Sequence, residues 1–161
     1  MSLDFENYFT KLGCPYWHEY KEQFKLFDFK DKAVVIVGGD CGSTCVYAYL
    51  HGAKSCIMYE AEAKLRDIAR QVELELKLSF DIRGKWEGNE YPDADIFLID
   101  CEGCEEKLDI DLVTKKYKQV GIAVHEWTKN RVELLQKLAK YSYRLVYVTA
   151  DGKELYFALT T

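Results

Sequence analysis

The feature that most constrains the fold is a glycine-rich turn between two apolar segments, followed by a single carboxylate. Residues 34–37 are the β-branched run Val-Val-Ile-Val, which is typical of a buried parallel strand. The turn after it contains Gly38, Gly39 and Gly42. We expect a short helix that stops at Gly52, then a second strand over Ser55–Tyr59 with Glu60 at its tip. This order predicts the mononucleotide-binding half of a doubly wound α/β fold.

The composition of the turn favours a cationic adenosine ligand over a phosphate chain. Its glycines do not have the Gly-x-Gly-x-x-Gly spacing, and it lacks the lysine of a Walker-type loop. Asp40 lies at its centre, where a negative charge repels phosphate and attracts the ammonium and sulfonium groups of S-adenosylmethionine (SAM). Glu60 is placed to accept hydrogen bonds from ribose hydroxyls. We therefore predict SAM as the cofactor, in preference to NAD or ATP.

A second motif follows the next buried strand. Residues 95–105 read Asp-Ile-Phe-Leu-Ile-Asp-Cys-Glu-Gly-Cys-Glu, an apolar run that ends in a dense polar cluster. Open α/β sheets bind ligands at the carboxyl ends of their strands. Asp100 and Glu102 are therefore expected beside the cofactor.

Together, residues 38–44 (Gly-Gly-Asp-Cys-Gly-Ser-Thr) and 99–105 (Ile-Asp-Cys-Glu-Gly-Cys-Glu) resemble motifs of the FkbM-like SAM-dependent methyltransferases. The resemblance covers about residues 30–161. It implies an α/β fold with a doubly wound, mostly parallel seven-stranded sheet in the order 3-2-1-4-5-7-6, closed by a C-terminal antiparallel β-hairpin. It also implies methyl transfer, in that family mostly to oxygen, here to a small-molecule or sugar-like acceptor.

Two positions depart from the family pattern. Ile36 stands where the family usually has an Asp that supports the loop and the methionine end of SAM, and Leu98 stands where it usually has Lys. Asp40 is the carboxylate available to take over the role of the Asp that Ile36 replaces. The cofactor contacts that we predict are Gly38, Gly39, Asp40, Cys41, Gly42, Glu60, Ala61, Asp81, Ile82 and Asp100. In SAM-binding folds the third strand, predicted here over residues 77–82, contacts the adenine, and Trp86 could cover it.

Catalysis requires an aligned nucleophile and, for an oxygen acceptor, a base or a metal. We predict Asp100 beside the methyl group. Glu102 and His125, at the tip of the predicted fifth strand, are the alternative bases, and the sequence does not choose between them. No residue is predicted to bind a metal.

Size and charge restrict the remaining possibilities. The 161 residues predict one domain, with a helical segment over residues 1–31 before a Rossmann-like core over 32–161. The net charge is −5, and ten carboxylates but one basic residue lie between Glu87 and Asp111, which argues against a nucleic-acid partner. No apolar run is long enough to span a membrane, and the N-terminus lacks a signal peptide's pattern, so we expect a cytoplasmic protein.

Three alternatives stay open beside the enzyme. One is a non-catalytic SAM-binding or interaction module that retains the fold; another is a subunit of a homo-oligomer, suggested by aromatic residues among positions 5–27. A nicotinamide-dependent oxidoreductase is the third. For the six cysteines we expect buried free thiols in preference to disulfides or a zinc site, because only Cys101 and Cys104 have ligand-like spacing. A thermophilic source would favour disulfides.

Overall fold

In a computed structural model, residues 3–160 are described. The first two residues of the predicted 1–31 segment, and Thr161, lie outside the described residues. Seven strands form one sheet in the order β3-β2-β1-β4-β5-β7-β6, as the family resemblance implied. The strands are β1 Ala33–Val37, β2 Ser55–Tyr59, β3 Asp81–Arg83, β4 Ile96–Ile99, β5 Gln119–His125, β6 Arg144–Val148 and β7 Glu154–Thr160.

The first five strands are parallel, and the last two return as an antiparallel hairpin. Helices cover both faces of the sheet, as βαβ crossovers require. The helices are α1 Phe5–Lys11, α2 Tyr20–Gln23, α3 Ser43–Leu50, α4 Ala63–Leu76, α5 Ile110–Lys116 and α6 Arg131–Lys140, with 3₁₀ segments at Tyr16–Glu19 and Cys104–Lys107. None of the helices within residues 3–160 is both long and apolar enough to cross a membrane.

Each face of the sheet packs against its own apolar core. Alternate residues of β1 divide between them: Val34 and Ile36 face the layer formed by the N-terminal segment, α3 and α4, while Val35 and Val37 face α5 and α6. All of β5 is buried, because helices or loops cover both of its faces. This burial explains the continuous apolar runs that identified the central strands in the sequence.

The aromatic side chains of the N-terminal segment cover one face of the sheet. Phe9, Tyr20 and Phe24 are buried in the first core, and Phe24 packs edge-on against Tyr156 of β7. Tyr16 is an exception, since 46% of it is exposed and it reaches the carboxyl ends of the strands.

One local prediction, the position of the third strand, was wrong. The third strand is Asp81–Arg83 and not residues 77–82, because α4 continues to Leu76 and ends with Lys77 in the left-handed region. Asn130 is the N-cap of α6 but its side chain does not cap the helix. Its amide instead donates to the backbone oxygen of Glu106, a tertiary partner that local sequence cannot reveal.

Four of the six cysteines form disulfides, which corrects the expectation of free thiols. Cys45 of α3 is bonded to Cys56 of β2, and Cys101 to Cys104 in the loop after β4. The packing of α3 on β2 brings the first pair's Cα atoms within 6.0 Å, a separation that sequence spacing does not disclose. Cys14 and Cys41 are buried free thiols, as expected.

Candidate functional site

A crevice lies at the carboxyl ends of β1, β2 and β4. Its volume is about 330 Å³, within the range of small-molecule sites. This is the edge at which doubly wound sheets bind ligands. The lining residues are Tyr16, Val37, Gly38, Asp40, Tyr59, Glu60, Ala61, Glu62, Leu65, Lys85, Trp86, Asp100, Cys101, Glu102 and Cys104.

The turn after β1 is held by Glu60. One carboxylate oxygen of Glu60 accepts a hydrogen bond from the backbone N–H of Asp40 at 2.8 Å, and the other accepts from the N–H of Glu62 at 3.1 Å. The backbone N–H groups of Gly38 and Gly39 both donate to the carbonyl of Tyr59. The acidic residue at the tip of β2 therefore fixes the glycine turn over the crevice.

Gly38 is required by the protein's own backbone. Its φ is +88°, and a Cβ there would lie 1.9 Å from the carbonyl oxygen of Asp100. Gly42 also has positive φ, and a Cβ there would lie 3.0 Å from the ring of Phe80 and 3.4 Å from Ala69. The glycine turn thus lets the ends of β1 and β4 approach each other closely.

The structure brings together some of the predicted residues but not all. Gly38, Asp40, Glu60, Ala61, Asp100 and Glu102 line the crevice. Cys41 does not, because its side chain is fully buried among core residues, and Gly39 packs against Met58.

The predicted adenine contacts also lie elsewhere. Asp81 is exposed and forms an ion pair with Arg83 at 2.8 Å, and Ile82 packs against the first core. Trp86 does line the crevice, and its indole N–H is held by the carbonyl oxygen of Glu90 at 2.8 Å. Sequence reasoning missed its neighbour Lys85, which has no marked position in a motif.

Negative charge dominates the crevice. Five carboxylates line it, and Lys85 is the single basic residue among its lining side chains. Burial, and then the negative charge of Glu60, raise the pKa of Asp40 to about 8. A cation bound here would favour the ionised form of Asp40, whereas an anion would be repelled.

Directly behind Asp100 lies a buried cluster around His125. The Nε2 atom of His125 is 3.4 Å from Asp100 and 3.3 Å from Glu154, and Nδ1 is 2.9 Å from Glu105. Burial disfavours the charged imidazole, but the hydrogen bonds to Glu105 and Glu154 outweigh it and raise the pKa of His125 to about 10. His125 is therefore a cation near neutral pH, not a free base.

Glu105 is the fully buried anchor of this cluster. It accepts hydrogen bonds from the backbone N–H of His125, the hydroxyl of Thr128 and the backbone N–H of Gly103. Burial alone would raise the pKa of Glu105, yet the hydrogen bonds from His125 and Thr128 lower it to about 2.

Sequence reasoning missed Glu105 and Glu154 as members of the site. Glu154 opens β7, which runs antiparallel to β5, so it is paired in register with His125 at the end of that strand. The hairpin prediction contained this signal, since a strand returning beside β5 must begin at the edge where β5 ends.

Solved structures similar to this one share the fold. The ribosomal protein L11 methylase of Lactobacillus delbrueckii subsp. bulgaricus superimposes with a TM-score of 0.59 at 18% identity, over 80% of this chain and 69% of that one. Fibrillarin of Aeropyrum pernix, solved with natively bound S-adenosyl-L-methionine, gives 0.59 at 11% identity over 82% and 68%. A dimethyladenosine transferase of Plasmodium falciparum gives 0.67 at 11% identity over 87% and 60%. The fold is that of SAM-dependent methyltransferases.

No protein-family model matches the sequence, so the FkbM-like resemblance is not confirmed. Two viral relatives match nearly end to end. Uncharacterized protein 158B of Sulfolobus islandicus rod-shaped virus 1 is 44% identical over 158 residues, which are 96% of this chain and 98% of that protein. Uncharacterized protein 65 of Sulfolobus islandicus filamentous virus (isolate Iceland/Hveragerdi) is 41% identical over 99% of both chains. The chain belongs to the same family as these two Sulfolobus virus proteins.

Proposed function

We propose that the chain is a SAM-dependent methyltransferase and that SAM occupies the crevice above β1, β2 and β4. The observation that carries the proposal is the acidic character of this crevice in a methyltransferase fold. Asp40 and Glu60 face the position where the fold binds its ligand, and no basic side chain of the glycine turn is present to hold a phosphate. That donor set fits a sulfonium nucleoside better than a dinucleotide.

In this proposal each end of the crevice has a separate role. Glu60, at the tip of β2, accepts hydrogen bonds from the ribose hydroxyls with the lone pairs that its two backbone donors leave free. Asp40 neutralises the cationic end of the cofactor. Trp86 supplies an apolar wall of the crevice.

The acceptor is proposed to be a small molecule without phosphate groups. SAM carries the methyl group on a positive sulfur, so the protein has mainly to align an acceptor oxygen and remove its proton. Glu102 is exposed at the rim beside Asp100, and we propose it as the base. His125 is the weaker candidate, because its imidazole is already protonated and held by three carboxylates.

Titration calorimetry with SAM tests the cofactor assignment. The wild-type chain should bind one SAM, and Glu60→Gln should weaken binding by about tenfold or more, since one charged hydrogen-bond acceptor is lost. Glu133→Gln makes the same chemical change on the exposed face of α6 and serves as the matched control. Absence of heat at millimolar SAM, or equal weakening by both variants, would contradict the assignment.

A non-catalytic SAM-binding module is the second candidate. It is favoured by Ile36 and Leu98, which are both buried in the first core and so cannot supply the polar groups usual at those positions. The two candidates differ in turnover. Release of S-adenosylhomocysteine with small alcohols, phenols or sugars supports the enzyme, and loss of that release in Glu102→Gln supports its assigned base.

A further inference from the structure

The buried cluster behind the crevice has a donor arrangement that the methyl-transfer proposal does not require. Three side chains converge there from three different strands: Asp100 follows β4, His125 ends β5, and Glu154 begins β7. Each offers one ligand atom, and all three atoms lie within 4.8 Å of one another. His125 and Glu154 are buried, whereas Asp100 also borders the crevice.

The separations match those of donors around one metal ion. Nε2 of His125 lies 3.4 Å from Oδ1 of Asp100 and 3.3 Å from Oε1 of Glu154. Two ligand atoms that are each 2.0–2.2 Å from an ion, at a tetrahedral angle, are about 3.3–3.6 Å apart. The observed spacing therefore leaves room for an ion without rebuilding the strands.

Glu105 fixes the imidazole in the orientation that metal binding needs. It contacts Nδ1 of His125 at 2.9 Å, on the side of the ring away from Asp100 and Glu154. Metal-binding histidines nearly always donate their second ring nitrogen to such a carboxylate, which sets the tautomer and directs the other nitrogen to the ion. Thr128 and the backbone of Gly103 hold Glu105 in place.

The concentration of carboxyl groups around His125 also favours a divalent cation at this position. Besides Asp100 and Glu105, Glu154 interacts with the half-buried Glu19, so four carboxyl groups surround a single imidazole. Burying several carboxylates together is costly unless a cation compensates them. The side of Asp100 that faces the crevice would leave coordination positions open to a bound molecule.

From this geometry we propose that Asp100, His125 and Glu154 bind one divalent transition-metal ion of the Mn²⁺ and Zn²⁺ class. Two carboxylate oxygens and one imidazole suit these ions, whereas a site without nitrogen would favour Mg²⁺ or Ca²⁺. The proposal of a metal site depends only on the arrangement of these three residues. Its use in activating an acceptor hydroxyl, by lowering the pKa of a bound oxygen, rests on the proposed methyltransferase function.

Calorimetric titration of chelator-treated full-length chain with MnCl₂, in the absence of SAM, tests the site. One ion per chain should bind with a dissociation constant below roughly 0.1 mM. Glu154→Gln and Asp100→Asn should each weaken binding by about tenfold or more, since each removes a charged ligand atom. Their matched controls, Glu133→Gln and Asp67→Asn on exposed helix faces, should bind Mn²⁺ like wild type.

Paramagnetic broadening in the wild-type chain gives a readout that does not depend on variants folding. The chain has three histidines, and bound Mn²⁺ should broaden the ring signals of His125 while those of His51, at the opposite edge of the sheet, remain. Added Zn²⁺ should displace Mn²⁺ and restore the His125 signals. No binding at about 1 mM Mn²⁺ or Zn²⁺, or broadening that spares His125, would overturn the proposal.

The SAM titration described above is performed without added metal, so the two proposals can fail separately. A chain that binds SAM but neither ion keeps its cofactor assignment and loses the metal site. A chain that binds Mn²⁺ at His125 but not SAM keeps the metal site and loses its proposed catalytic use.

Discussion

Asp40 carries a charge that depends on what fills the crevice. Its pKa is raised to about 8 by burial and by the neighbouring Glu60, so most Asp40 side chains are protonated at neutral pH when no ligand is bound. A cationic ligand binds the ionised form more strongly. Binding must therefore release a proton below pH 8, and affinity must rise with pH in that range.

We predict that the affinity for SAM increases between pH 6 and 8, by up to about tenfold per pH unit at the steepest part of the curve. Calorimetry across this range measures it. Asp40→Asn should bind SAM more weakly at pH 8 and should lose most of the pH dependence, because the amide does not titrate. Parallel pH profiles for the two proteins would show that Asp40 does not contact the cationic end.

At the residue scale, the sequence predicted the crevice residues that follow strand ends. It was less successful for the side chains that pair with those residues in the fold. Asp40, Glu60, Asp100 and Glu102 lie within three residues of the end of an apolar run, and all four line the crevice. Glu105 lies in the same motif, but its partner His125 is twenty residues away. Only the three-dimensional path of the chain shows that His125 is an ion-paired cation.

At the scale of elements, the close approach of β1 and β4 depends on Gly38. We predict that Gly38→Ala lowers the free energy of unfolding by about 3 kcal/mol or more, because a Cβ would collide with the carbonyl of Asp100 and the residue has positive φ. Gly84→Ala is the matched control, since nothing lies within 4 Å of its Cβ position. It should change stability by less than about 1 kcal/mol in urea titrations.

The outcome of that comparison separates two explanations of the turn. Equal stability of Gly38→Ala and Gly84→Ala would mean that β4 can move away from β1 at little cost. In that case the turn sequence would reflect ligand contact alone.

The disulfide between Cys45 and Cys56 joins α3 to β2 across a sequence separation of 11. Closing a loop of this size restricts the unfolded chain and is worth about 3 kcal/mol. We predict that the double variant Cys45→Ala, Cys56→Ala has a free energy of unfolding about 3 kcal/mol lower than wild type, measured by urea titration. Alkylation of the unreduced, denatured wild-type chain should modify Cys14 and Cys41 alone. Modification of all six cysteines would show that neither disulfide forms.

Strands bounded by signals in their own sequence were predicted correctly, whereas a strand placed by pairing with a neighbour was not. The second strand was predicted over Ser55–Tyr59 and is found there. Two local signals bound it in the sequence: Gly52 lies shortly before it, and the acidic Glu60 directly follows it. The third strand was misplaced because it is a short edge strand, only three residues long. Its position is set by pairing with β2, which the sequence of the segment itself does not encode.

At the scale of the whole molecule, the buried titratable groups determine how stability varies with pH. His125 has a pKa of about 10 in the fold, above its value in an unfolded chain, so its stabilising contribution is complete below about pH 6.5 and is lost as the pH rises through 10. Asp40 and Glu19 have pKa values raised to about 8 and about 7, so the folded chain holds protons that the unfolded chain releases between about pH 4 and 8.

Glu105 acts in the opposite direction. Its pKa of about 2 means that its contribution is present above about pH 4.5 and is lost only as the pH falls toward 2. These groups together place the stability maximum on the acidic side of neutrality. Stability continues to fall in the alkaline range, because His125 loses its proton there.

We therefore predict that the urea midpoint of the metal-free chain is highest between about pH 4.5 and 6 and falls steadily toward pH 9. Equilibrium unfolding followed by circular dichroism at five or more pH values measures this curve. Asp40→Asn should flatten the part between pH 5 and 8, because the amide removes a proton that only the folded chain retains. A midpoint that rises from pH 5 to 9 would mean that Asp40 and His125 are more solvated than their packing indicates, and it would remove the charge argument for both the cofactor and the metal.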